Sequence, residues 1–180
     1  MMTRSLLDKL EAMLEVLAES LHGPPLPAER GILLVYPPEE ELELRERLPE
    51  YLLQVKAPQT TLDVETLPFE LLASEGVLAD AYRLEHEDAV WLRRYLAEQL
   101  PRLLHQRVRD AGQQLGVGGV IVLETTTALF PWVSYADLLQ SLPAHFPCRI
   151  VIPFPGHGEG AYLHFLDHRD GFNYLARRIE

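Results

Sequence analysis

One cysteine, Cys148, is present in 180 residues. A single thiol closes no internal disulfide, so no disulfide framework holds this fold. Beside the apolar run Ile150-Val151-Ile152 it reads as a buried, inert thiol. Positive charge is scarce too: 16 Lys and Arg stand against 27 Asp and Glu, a net charge of −11. Direct nucleic-acid binding needs a cationic surface to replace counterions, so that partner is disfavoured. Long apolar runs are missing. None approaches the ~18 residues of a bilayer span, and Asp8, Lys9, Glu11, Glu15 and Glu19 break up the first segment where a signal peptide would be continuous. The expected location is the cytoplasm, with no membrane partner.

What is present suits a globular domain: 47% hydrophobic and 24% charged residues exclude a disordered chain and supply a full core. Residues 1–180 are expected to form a single α/β domain. Leu6, Leu7, Leu10, Met13, Leu14, Leu17 and Leu21 recur at helical spacing, Ser5 can cap the helix, and Gly23-Pro24-Pro25 stops it. This arm, 1–22, joins the rest through the Pro-rich stretch 23–29. Its stripe is expected to pack on its own domain, the alternative being a docking helix for a partner.

Apolar segments at 32–36, 117–123 and 150–154 read as strands buried in a parallel sheet. A weaker strand is expected near Thr61–Val64, a short helix from about Pro68 to Ala73, and another strand over Ala161–Phe165. After the first strand, Pro37-Pro38 and the acidic Glu39-Glu40-Glu41 open a helix that Pro49 ends or kinks. The stretch 77–115 is helix-compatible, and Pro101 is expected to divide it in two. Pro155–Gly160 reads as a loop, and Asp167–Gly171 as a turn before a short tail. Strands alternating with helices imply a mostly parallel sheet of 4–5 strands flanked by helices.

In such sheets ligands bind beyond the carboxyl ends of the strands. Three loops are expected there: Tyr36–Glu39, Glu124–Thr127 and Pro155–Gly160. The first offers two prolines without amide donors and a carboxylate that repels phosphate, so a Walker A loop is absent and no nucleotide cofactor is expected. His157, His164 and His168 cluster with Glu159, Asp167 and Asp170 as weak metal-ligand candidates, without a Cys partner or a helical pair to make a zinc site. Thr125, Thr126 and Thr127 with His157 would make a nucleophile and its base, yet no nucleophile elbow surrounds them. Glu124 with Glu159 would make an acid–base pair. No set is complete, and the expectation is a non-enzyme. Candidates for protein contact at this edge are Tyr36, Pro37, Pro38, Phe130, Trp132, Pro155 and His157, with Trp132 as the natural anchor if exposed.

The order of motifs carries a likeness. Tyr36-Pro37-Pro38 precedes an acidic run; Val120-Ile121-Val122-Leu123 leads through a polar turn to Phe130-Pro131-Trp132; Ile152-Pro153-Phe154-Pro155-Gly156 is followed by Tyr162-Leu163-His164-Phe165 and Phe172-Asn173-Tyr174-Leu175-Ala176-Arg177. This series, covering most of the chain from residue 5 onward, resembles the BrxB-like family of bacteriophage exclusion (BREX) defence systems. The resemblance implies a P-loop-type α/β core that has lost its nucleotide machinery, with no cofactor and no catalytic residues. It implies a small cytoplasmic adaptor in anti-phage defence, acting with larger proteins: an alkaline-phosphatase-like protein as the foremost partner, a methyltransferase and an ATPase. The turn that contains glycine in the family is Thr125-Thr126-Thr127 here, which argues against a residual phosphate site. The alternatives are a small metal-dependent hydrolase at the strand-end edge and a nucleic-acid-binding accessory protein using the Arg-bearing stretch 89–109.

Overall fold

Every second residue of the central strands faces one helical layer, and the residues between face another. In β1 (Gly31–Tyr36), Leu33 and Val35 join one core while Ile32, Leu34 and Tyr36 join the other. β3 (Val120–Glu124) divides in the same way, Ile121 and Leu123 against Val120 and Val122. This double burial is why both segments read as continuous apolar runs. The structure is a computed structural model that describes residues 4–159, 162–166, 168–170 and 176–180.

The parallel sheet runs β2-β3-β4-β1-β7, where β2 is Gln59–Asp63, β4 Arg149–Glu159 and β7 Ala176–Ile179. All four neighbouring pairs are parallel, with Leu33 opposite Ile152 in the central pair. The expected parallel sheet flanked by helices is thus the one observed. α1 (Leu6–Ala18) and α3 (Glu41–Leu52) cover one face; α4 (Leu67–Ser74), α6 (Ala89–Leu115) and α7 (Tyr135–Ser141) cover the other. α2 (Pro27–Arg30) and α5 (Ala81–Glu87) complete the helices. No helix among the described residues is long and apolar enough to cross a membrane.

α1 starts at Ser5 in a reciprocal capping box with Asp8 and lays Leu6, Leu10, Met13 and Leu17 on the sheet. Its stripe therefore packs on its own chain. Three buried cations hold the layers together by donating to main-chain carbonyls. Lys9 Nζ, 3% exposed, donates to Val35 O at 2.9 Å. Arg149 Nη1 donates to the carbonyls of Val16, Leu17 and Glu19 at 2.9, 3.3 and 3.1 Å, closing the end of α1. Arg30 donates to those of Leu142, Pro143 and Ala144 at 3.2, 2.9 and 3.2 Å, just past α7. Arg149 meets the negative end of α1, while Arg30 gathers three carbonyls of the turn that follows α7.

Three expectations need correction. Pro101 does not divide the long helix: α6 runs through it, because Leu96, Leu100, Leu104, Val108 and Ala111 form one buried stripe on both sides of it. The break falls earlier, at Asp88, whose side chain accepts from Trp91 N and caps α6. Pro155–Gly160 is not a loop as far as Glu159. β4 continues outward and pairs antiparallel with β5 (Tyr162–Phe165), which pairs with β6 (His168–Asp170). The tail is not a tail, since Ala176–Ile179 adds β7 beside β1. Gly160, Ala161, Asp167 and 171–175 lie outside the described residues, as do the side chains of Glu159, His168 and Asp170.

Candidate functional site

β1 feeds a helix on one face of the sheet, while β2 and β3 feed helices on the other. The strand ends between them form the switch point at which ligands enter open α/β sheets. A cleft of about 280 Å³ lies there, lined by Glu41, Arg45, Asp63, Glu65, Glu124 and Thr125. β1 ends at Tyr36, 1% exposed, whose phenol donates to the carboxylate of Glu41 in the cleft lining. Arg45 Nε, one turn further along α3, donates to the other Glu41 oxygen at 2.9 Å. Burial first, then the bond to Glu41, holds the Tyr36 phenol well above its ordinary value, so it stays a neutral donor.

At the end of β3 the Glu124 carboxyl is pushed up, chiefly by burial and further by the neighbouring Asp63 charge, against the pull of Arg45. Thr125 follows with φ 57° and ψ 39°, a left-handed conformation that strains a β-branched residue by roughly 1–3 kcal/mol. Thr126 is buried, with its hydroxyl donating to Pro153 O at 2.6 Å and its carbonyl accepting from Tyr135 OH at 2.6 Å. That hydroxyl is committed to structure.

His157 does not approach these threonines by any hydrogen bond among the described residues. It projects from the hairpin instead, stacked on His164 across the β4–β5 ladder with ring centroids 4.8 Å apart. His168 pairs with Phe165 in the next strand. Among the described residues no group of three or more His, Cys, Asp or Glu is arranged to hold a metal ion. The Cys148 thiol is buried and pushed up to about 11, mainly by that burial.

The residues singled out for protein contact separate widely. Tyr36 and Pro155 sit side by side in the β1–β4 register and are buried, so neither offers a surface. Tyr36 packs in the core with residues of α1 and α3, and Pro155 lies within β4, which continues past it to Glu159. Phe130 packs on Phe165 at 5.5 Å between ring centroids. Pro37 is half-buried, and Pro38 and His157 are exposed. Trp132 is half-buried at the wall of a different feature.

That feature is a groove of about 630 Å³ between α4, α5 and the first turns of α6, lined by Phe69, Leu72, Leu78, Tyr82, Leu92, Leu96 and Trp132. Phe69 is 59% exposed and Tyr82 79% exposed; Leu78 and, just outside the groove, Val90 and Trp91 are also exposed large apolar residues. Glu85 and Arg93 stand in its lining without an ion pair among the described residues. Sequence reading missed this groove. Its signal was present as apolar residues lying off the buried stripe of their own helices, at Phe69, Tyr82, Val90 and Trp91. Comparison with protein-family models, with curated proteins and with solved structures finds no match to this chain.

Proposed function

We propose that this chain is a cytoplasmic, non-enzymatic adaptor of a BREX-type anti-phage assembly, and that the groove between α4, α5 and α6 grips a larger partner. The groove carries the reading. Isolated exposed apolar residues are ordinary on a protein surface, but a concave site walled by three aromatic side chains and several leucines is the kind of surface that anchors a partner. The expected partner, taken from the family resemblance, is the alkaline-phosphatase-like component. The test is co-expression with that component and pull-down through a tag on this chain. The wild type should retain the partner, and Phe69→Arg should lose it without altering the melting temperature, since Phe69 is 59% exposed. Equal retention by Phe69→Arg would refute the groove, and no retention by the wild type would refute the partner.

The strand-end cleft favours a second reading, a small hydrolase. A carboxyl with raised proton affinity beside an ionised one is how an acid–base pair is divided. Turnover of model ester or phosphate substrates by the wild type, abolished by Glu124→Gln and kept by Phe69→Arg, would establish that reading in place of the adaptor.

A further inference from the structure

The two edges of the parallel sheet are finished differently. β7 carries Arg177 and Arg178 in the middle of its four residues, the charged finish that keeps an edge from pairing. β2, at the opposite edge, reads Gln-Thr-Thr-Leu-Asp, with its single charge at the last position. Among the described residues, no hydrogen bond beyond the β2–β3 ladder reaches the main chain of Thr60, Thr61 or Leu62. A cleft of about 300 Å³ lies beside β2, between it and Glu70, Leu104 and Arg107 of α4 and α6. An uncharged, open edge is a template for another strand.

We propose that β2 pairs antiparallel with β2 of a second copy across a twofold axis at Thr61, joining the two sheets into one. The occupant is argued from the strand's own chemistry. Antiparallel pairing about Thr61 sets Thr61 against Thr61, Thr60 against Leu62 and Gln59 against Asp63. Every residue of the strand is then used, and Thr–Thr is a favourable cross-strand pair; Gln59, whose amide donates to Leu52 O at 2.7 Å in its own chain, stands opposite Asp63, whose carboxylate accepts from Glu65 N at 3.1 Å, so that no like charges meet. Parallel pairing in register would instead set Asp63 against Asp63. The antiparallel contact is isologous and closes, so it stops at the dimer.

Sedimentation or light scattering on the full chain should give twice the 20.5 kDa chain mass, and Thr61→Lys should return it to the chain mass with its circular-dichroism spectrum intact and a melting temperature that no longer depends on protein concentration. The register is read separately by cysteine cross-linking, for which the native Cys148 is buried and silent. Under mild oxidation Thr61→Cys should give a covalent dimer, the two Cβ atoms facing each other at about 5 Å. Gln59→Cys should not, because its two copies lie about 13 Å apart along the paired strands. A chain at monomer mass over the micromolar range overturns the proposal. So does a dimer that Thr61→Lys leaves intact, or a cross-link that forms as readily at 59.

Discussion

Glu124 shows at the scale of one residue what the strand-end cleft does to a charge. Its folded proton affinity is raised by burial and by Asp63, so between its unfolded and folded titration points the native state binds the extra proton. Stability then falls as pH rises through that window and is unaffected below it. Glu124→Gln removes the ionising group while keeping its shape. It should melt higher than the wild type at pH 7, with the gap closing as both are measured toward pH 4. A gap of equal size at both pH values would mean that charge is not the cause. Gly156 shows the steric counterpart. A Cβ there would sit 1.8 Å from the main-chain oxygen of His164, and backbone paired on both sides cannot move aside. Gly156→Ala should therefore cost about 3 kcal/mol in urea unfolding, with early loss of amide protection across β4–β5.

At the scale of elements, α6 sets a local rule against packing. Pro101 removes one helical hydrogen bond and crowds the turn before it, at about 3 kcal/mol, yet the helix continues because its buried leucines extend on both sides. Pro101→Ala should raise the denaturation midpoint, corresponding to roughly 1–3 kcal/mol once the freer unfolded chain is counted; no gain would mean that the turn is already relaxed. The same tension marks where the fold was legible. β1, β3 and β4 were readable because burial on both faces leaves an unbroken apolar run, and α1 because Ser5 and Asp8 stand at capping spacing. β7 was not, since Ala-Arg-Arg-Ile at an edge buries only Ile179 among its side chains. The roles of Arg30 and Arg149 were also hidden. A lone basic residue before an apolar strand looks like a surface charge until the fold brings main-chain carbonyls to it. The candidate groove was less legible still, since it is made by three helices whose relative placement no local pattern encodes.

For the whole molecule the governing quantity is the net charge of −11. Two opposed electrostatic effects answer to salt. Exposed ion pairs such as Arg94–Glu98 and Arg83–Glu87 weaken when screened, but pairs of this kind contribute little each. Repulsion among the unbalanced carboxylates acts over the entire surface and also weakens, since the Debye length shrinks from about 30 Å at 0.01 M to about 8 Å at 0.15 M. The buried bonds of Lys9, Arg30 and Arg149 to carbonyls are shielded from the solvent ions and should barely respond. Repulsion therefore wins. The melting temperature should climb by several degrees between 10 and 150 mM sodium chloride, since 1 kcal/mol corresponds to about 2–4 °C for a chain of this size. Pairing at β2 should tighten over the same range, because each copy brings the same excess of negative charge to the axis. A melting temperature that fell with salt would mean that the surface ion pairs, and not the carboxylate excess, control the electrostatics of the fold.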